Sequence, residues 1–368
     1  MVTTAILGAT GLLGRALAPR LLRETSDRLV LLGRRDDALR AMARDLSSQH
    51  GEARVESRLA DASRVEELVE GLRGCDRVVL ALDGARHLRT VAEAALAARV
   101  SCIDPLIVPG RLALWRELTE RHRERGCWVV TEAGLQPGLP GVLARAALEA
   151  MPDARALDVR AVLKIRIPPD LAMPSSMLDL VAAFTETPKI YGGGRAHVAW
   201  SALLVPYRVA RFSPPFGRYA LAVSALPELE ALALCHPEIE RLRFLVGGFN
   251  PVVNGLVLPL LLPLLWVPRR VFHPLVARVL FESLKRFTRP PFGAALAVDA
   301  RSAAGARWSL ELQHDDEYGL TCDALVALLE HVSRVPPAPG MHLMSELPPP
   351  RAFLDRLARL GARLSPTG

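Results

Sequence analysis

Within its first fourteen residues the chain runs from a strand-like segment into a glycine turn and then a helix. Residues 2–7, VTTAIL, are β-branched and apolar, as in a parallel strand buried on both faces. They stop at Gly8-Ala9-Thr10-Gly11-Leu12-Leu13-Gly14, and residues 12–24 then show helical apolar spacing, with Pro19 inside it. A glycine pattern alone says little, but one between a strand and a helix is the context a phosphate-binding turn requires. Gly8 permits the tight turn, Gly11 lets the backbone approach a pyrophosphate, and Gly14 lets helix and strand pack closely. The backbone N–H groups of Leu12, Leu13 and Gly14, with Thr10 beside them, then open the helix toward an anion. The structural alternative is a glycine turn that binds nothing.

The alternation continues. Strands are expected at 28–33, 54–60, 77–82, 100–104 and 127–132, with helices at 36–49, 63–73, 87–99 and 110–125 between them. Strands alternating with helices imply a doubly wound parallel sheet with right-handed crossovers, so residues 1–135 are expected to form an α/β Rossmann domain.

The second strand carries the cofactor preference. An NAD(H) enzyme usually places Asp or Glu at its end, to grip a ribose 2′-hydroxyl. Here the end reads Leu32-Gly33-Arg34-Arg35. Two guanidiniums match a 2′-phosphate in charge and geometry, so NADP(H) is preferred over NAD(H). The alternative is that the arginines are only solvated. Asp61, after the third strand, is placed beside the adenine or else caps the helix expected from Ser63.

Composition excludes several other classes. Half the 368 residues are hydrophobic and 23% are charged, which is a globular balance. The net charge of +7 suits an anionic partner. No zinc-finger spacing or aromatic-studded basic strand points to nucleic acid. The cysteines, at 75, 102, 127, 235 and 322, are widely spaced without a C-x-x-C pair. That argues against a disulfide framework or a metal site and fits a reducing, cytoplasmic setting. The N-terminus has no basic leader before its apolar run.

One stretch is anomalous. From Phe244 to Pro268 there is no charged residue, and residues 256–267 read LVLPLLLPLLWV. Prolines at 251, 259, 263 and 268 break it too often for a clean membrane-crossing helix. Arg269 and Arg270 follow, and residues 271–287 mix apolar positions with Arg278, Lys285 and Arg286. An apolar plug beside a basic amphipathic helix suits peripheral contact with an anionic membrane. A buried helix, a dimer interface or a greasy substrate tunnel are the alternatives.

Taken together, AILGATGLLGRALAPRLL, LLGRR, GCDRVVLAL, CIDP (102–105) and TEAGLQPGLPGVLARAAL (131–148) resemble the saccharopine dehydrogenase-like NAD(P)-binding oxidoreductases. A looser, collinear likeness continues through SSMLDLVAAFTETPKIYGGGRAHVAW, PFGRYALAVSALPELEAL, HDDEYGLTCDALVALLEHV and PGMHLMSELPPPRAFLDRLARLG, so that it spans nearly the whole chain. The resemblance implies an α+β second domain with an antiparallel sheet over 136–338, containing the apolar segment 252–268. It also implies a C-terminal part, 339–368, whose helix near 350–361 returns to the Rossmann domain. The GATGxxG form is similar to an enoyl-reductase-like branch. Two departures matter. Asp83-Gly84-Ala85-Arg86-His87 stands where relatives carry a Gly-Pro-Tyr-type loop, and the side chains that bind an aminoadipate-type substrate are not recognisable.

Ligands of doubly wound folds bind beyond the C-terminal strand ends, which brings Asp83, His87, Asp104 and Glu132 forward. Neither Tyr-x-x-x-Lys nor G-x-S-x-G is present as an alternative centre. Asp104 is the first choice for acid–base work, because the matched family motif has an acid there; its alternative is a turn residue before Pro105. His87 and Glu132 are the other catalytic candidates, set against roles as a helix start and a salt-bridge partner. Gly134, Pro137 and Gly138 are expected to shape the backbone against the nicotinamide or to form a hinge.

The expectation is therefore an NADP(H)-dependent oxidoreductase reducing a C=C, C=N or C=O bond of a hydrophobic small molecule or lipid. It would work as a homodimer, with no nucleic-acid partner. A non-catalytic nucleotide-binding, membrane- or lipid-associated scaffold is the alternative.

Overall fold

A computed structural model describes the chain except residues 52–53, 85, 108–109, 186, 200–207, 268–270 and 367–368. Ala85, Pro268, Arg269 and Arg270, singled out above, lie outside the described residues. The chain divides into two compact units, Met1–Gln136 with Thr321–Pro348, and Pro137–Leu320 with Pro349–Gly368.

The first unit is built on a seven-stranded sheet. Six strands come from the N-terminal part: β1 (Thr3–Leu7), β2 (Arg28–Gly33), β3 (Val55–Leu59), β4 (Arg77–Leu80), β5 (Ser101–Asp104) and β6 (Trp128–Thr131). They lie in the order β6-β5-β4-β1-β2-β3, each pair parallel. Between them run α1 (Leu12–Glu24), α2 (Asp36–His50), α3 (Val65–Leu72), α4 (Leu88–Ala98) and the pair α5 (Arg111–Glu117) and α6 (Thr119–Arg125). The single helix expected over 110–125 is thus two, meeting at Leu118. The strand order reverses direction between β1 and β4, which is the switch point where such sheets bind ligands. Val30, Leu32, Val78 and Leu80 of the sheet bury against Leu68 and Leu72 of α3 and Val91 and Ala95 of α4. Fully burying each such Leu or Val contributes about 1.5–3 kcal/mol.

At the opposite strand ends a buried polar knot ties the unit together. Thr4 Oγ1 donates to Asp27 Oδ2 at 2.6 Å, and Arg77 donates to both, Nε to Thr4 Oγ1 at 2.9 Å and Nη2 to Asp27 Oδ2 at 2.7 Å. Arg77 Nη1 also donates to the Leu329 carbonyl at 3.0 Å, in the helix Glu317–Arg334. The sheet's seventh strand, β15 (Gly340–Leu343), then pairs parallel with β6.

The second unit has a mixed sheet. Its strands are β7 (Ala154–Lys164), β8 (Lys189–Gly192), β9 (Arg195–Val198), β10 (Arg208–Arg211), β11 (Arg218–Ser224), β12 (Arg241–Gly247), β13 (Gly293–Ser302), β14 (Arg307–His314) and β16 (Arg363–Pro366). The main path is β10-β11-β12-β7-β13-β14-β16, with β8 and β9 branching from β12. Antiparallel pairing dominates, but β12 and β7 run parallel, so the expected antiparallel sheet is a mixed one. Helix α7 (Leu139–Ala150) covers one face, and β7 turns Leu157, Val159 and Ala161 into the core in the two-residue rhythm of a strand.

The helix Pro350–Leu360 does not return to the first unit. It buries Phe353, Leu354 and Leu357, packs on α7, and is followed by β16, which pairs antiparallel with β14. Hydrogen bonding of β16 to the second sheet holds the helix before it on that side. What returns to the first unit is 321–348, carrying β15.

The apolar stretch is helical over 253–266, passing from π to α to 3-10 turns. Pro259 and Pro263 each lack the N–H that a regular α-helix needs, which accounts for the change of winding. Among the described residues, no helix is long and apolar enough to cross a membrane.

Candidate functional site

The glycine turn closes by backbone hydrogen bonds. The N–H groups of Gly8 and Ala9 both donate to the Leu32 carbonyl, at 2.9 and 3.1 Å, and Gly11 N–H donates to the Gly8 carbonyl at 2.9 Å. Gly8 has φ +88°, and a Cβ there would stand 2.4 Å from the Ala81 carbonyl oxygen. A Cβ on Gly14 would stand 2.6 Å from the Ala9 Cα. Neighbouring backbone therefore dictates both glycines. Gly11 differs. It caps α1 with an ordinary φ of −78°, and its missing Cβ would meet the Gly8 carbonyl oxygen at 3.1 Å and that of Ala81 at an ordinary 3.6 Å. The fold itself asks little of that position, so its bareness keeps the outer side of the turn open.

No side chain caps α1. The N–H groups of Leu12, Leu13 and Gly14 precede the first intrahelical bond, Arg15 N–H to the Gly11 carbonyl at 3.0 Å. A thirteen-residue helix thus presents its positive end across a cradle cleared of side chains, a geometry that fits a dinucleotide pyrophosphate.

Two guanidiniums converge on this turn. Arg35 Nη2 donates to Thr10 Oγ1 at 3.2 Å and to its carbonyl at 3.3 Å; Arg15 Nε donates to the same carbonyl at 2.9 Å. Arg15 was not singled out by sequence; its place one turn into α1 was the available signal. Asp61 is spent as a cap. Its Oδ1 accepts the Ser63 N–H and hydroxyl, both at 2.8 Å, and these bonds hold its carboxyl below the usual range, with smaller help from the charges of Arg34 and His87. Arg34, Asp61 and His87 follow the C-terminal ends of β2, β3 and β4. His87 itself is the N-cap of α4, without a side-chain capping bond. Asp83, four residues before it, is exposed.

The acids after β5 and β6 are interior. Asp104 is fully buried. Its Oδ1 accepts the Leu106 N–H at 3.0 Å, while Oδ2 accepts the Trp115 indole N–H at 2.6 Å and the Thr131 hydroxyl at 3.1 Å. Burial pushes its carboxyl above the usual range against the opposing pull of Arg111 and these donors. Glu132 is fully buried too, in the left-handed region at φ +55°, and is salt-bridged to Arg111 of α5. Arg111 thus couples electrostatically to Asp104 and binds Glu132 directly, while Trp115, one turn later in α5, anchors Asp104. Sequence reading missed Arg111 and Trp115, although their i, i+4 spacing puts them on one helix face.

Gly134, Pro137 and Gly138 are buried, and Gly138 caps α7 at φ +125°. The break between the two compact units falls inside this turn, after Gln136. Among the described residues there is no cluster of His, Cys, Asp or Glu able to hold a metal ion.

Residues 4–130 match the family model of the saccharopine dehydrogenase NADP binding domain. No curated protein matches the sequence. Among solved structures, apo saccharopine dehydrogenase (L-Glu forming) from Saccharomyces cerevisiae aligns over 100% of both chains, with 12% identity and a TM-score of 0.67. At that identity the likeness is one of fold. A short-chain dehydrogenase/reductase from Veillonella parvula aligns over 28% of this chain and 47% of its own, with 19% identity and a TM-score of 0.24. Pen from Bacillus thuringiensis aligns over 45% and 61%, with 12% identity and a TM-score of 0.29. Neither of these two supports any conclusion.

Proposed function

We propose, for a chain that is by first domain and fold a saccharopine dehydrogenase-like, NADP(H)-binding oxidoreductase, that it reduces a C=C, C=N or C=O bond of a hydrophobic small molecule or lipid. The observation that carries the reading is the uncapped N-terminus of α1, set in a cradle whose outer side the bare Gly11 leaves open, with Arg35 clamped on Thr10 beside it. NADPH, when bound, supplies the hydride. The chain's part is to hold and orient.

In this reading the backbone of residues 11–14 grips the pyrophosphate, and Arg34 and Arg35 face the 2′-phosphate. Glu132 and Arg111 act as positioning residues for the Gly134–Gly138 turn, which shapes the backbone beside the nicotinamide. Asp104 locks α5 onto the sheet and takes no part in proton transfer. We place the protein in the cytoplasm, as a homodimer working against a membrane surface.

One observation favours the second reading, a nucleotide-binding scaffold without turnover. The two acids at the ends of β5 and β6 are both fully buried and engaged within the first unit. The test is oxidation of NADPH by a panel of enones, imines and ketones of increasing chain length, alongside calorimetric binding of NADPH and NADH. Turnover that improves with apolar chain length supports the reductase. Tight NADPH binding with no turnover supports the scaffold, and equal or absent binding of both nucleotides removes the cofactor assignment.

A further inference from the structure

Within the second unit, the helical stretch 253–266 and the helix His273–Phe287 pack together with the helix Ser176–Ala183. Val253, Leu258 and Leu265 of the first, and Val276, Leu280 and Phe281 of the second, bury in one apolar cluster. That alone is an ordinary amphipathic arrangement. The outward side chains are what depart from it. Leu256 is 57% exposed, Leu260 66%, Val271 63% and Leu275 49%, with Val252, Val267 and Val279 exposed as well. Single exposed apolar residues need no explanation. Seven within residues 252–279, in a stretch whose first half carries no charge, make an exposed apolar surface of the kind that meets a partner.

The charges on this face say what the partner is. Leu275, Arg278, Val279, Glu282 and Arg286 are exposed at the i, i+3, i+4, i+7 and i+11 positions of one helix face, and Arg289 is exposed just beyond. Three arginines against one glutamate border the apolar residues. A second copy meeting this face through a two-fold axis would bring an equally cationic surface against it. An anionic lipid headgroup layer complements it instead. Such a layer also leaves water within reach of backbone groups that Pro259 and Pro263 unpair, which a dry protein interface would not.

We infer that the outer face of the helices 253–266 and 273–287, with Val271 between them, seats on a bilayer containing anionic phospholipid. Leu256, Leu260, Val271 and Leu275 enter the acyl boundary, while Arg278 and Arg286 meet headgroup phosphates. This deepens the membrane placement proposed above and rests on it for location only; hydride transfer does not enter the argument, so either reading can fail alone.

The experiment is flotation of the full chain with phosphatidylcholine vesicles made with and without phosphatidylserine, at low and raised salt. The wild-type chain floats with the anionic vesicles, less so in raised salt. Arg278→Gln with Arg286→Gln weakens partition about 30-fold, roughly fivefold per arginine, from the usual worth of a basic residue near an anionic surface. Leu256→Glu with Leu260→Glu abolishes flotation. All four positions are solvent-facing, so NADPH binding and melting temperature serve as folding controls and stay unchanged. Wild-type protein that stays down with anionic vesicles, or floats equally without phosphatidylserine, overturns the inference. So does a Leu256→Glu, Leu260→Glu variant that floats as wild type, or one that instead splits a stable dimer measured by light scattering.

Discussion

Asp104 accepts the Trp115 indole N–H at 2.6 Å while the Thr131 hydroxyl and the Leu106 N–H reach the same carboxylate. The acid with the strongest sequence case for catalysis is thus surrounded by donors. Asp104→Asn would turn an amide NH2 toward them, leaving a buried donor unmet. Such a group costs about 1–3 kcal/mol, so the variant should lose that much stability in denaturant titration while NADPH affinity is kept. A catalytic Asp104 would show the reverse, with normal stability and lost turnover.

Arg77 and Asp27 make the second stability test. Both are buried, and Arg77 also holds Thr4 and the Leu329 carbonyl. Removing one partner of a buried pair typically costs about 3–5 kcal/mol, because the other charge is stranded. Arg77→Ala should show that loss in urea unfolding, and Arg77→Ala with Asp27→Ala should recover part of it.

The turn glycines should separate by position. Gly14→Ala pushes a methyl to 2.6 Å from the Ala9 Cα, and should lower both the melting temperature and NADPH binding. Gly11→Ala has only a 3.1 Å contact to relieve, so the fold should survive it. A methyl in the cradle should still weaken NADPH binding, measured by fluorescence titration. Equal affinity in Gly11→Ala and wild type would mean that the pyrophosphate does not lie there.

Arg35→Ala should cut the preference for NADPH over NADH about 10- to 100-fold, the range for a hydrogen bond to a charged group. NADH affinity itself should change little. Calorimetry with both nucleotides reads this directly, and loss of both together would instead assign Arg35 to the architecture of the turn.

His122 gives a pH dependence. It is buried, with Nδ1 2.8 Å from the Leu118 carbonyl and its ring edge-on to Trp115. Burial lowers its folded pKa below the ordinary 6.5, the Leu118 bond opposing. Between those two values the unfolded chain binds more protons than the folded one. The stability His122 contributes is therefore present above about pH 6.5 and is lost as pH falls toward the folded pKa. Melting scans of wild type and His122→Asn across that interval should converge as pH drops.

The nucleotide domain was largely legible because its signals are local. The apolar run of β1, the glycines and the helix after them are consecutive, and all six N-terminal strands fall within a residue or two of expectation. What was not legible depends on distance. Nothing near Asp104 announces that Trp115 and Thr131 will surround it, since those contacts exist only once β5, α5 and β6 are packed. The four residues of β15 carry no strong pattern, and their place beside β6 is set 209 residues later in the chain, from Thr131 to Gly340. The helix Pro350–Leu360 was misassigned for the same reason, its side being fixed by β16.

That placement of β15 has a consequence during synthesis. The first 136 residues leave the ribosome with β6 as a bare sheet edge, its hydrogen-bonding groups unclaimed until Gly340–Leu343 follow residues 137–320 of the second unit. Open edges invite pairing with other chains. Residues 137–320 of the second unit are in effect a passenger inserted into the first, and their passage sets how long the nascent nucleotide domain stays adhesive. Slow steps within residues 137–320 should therefore appear as aggregation of the half that has already folded.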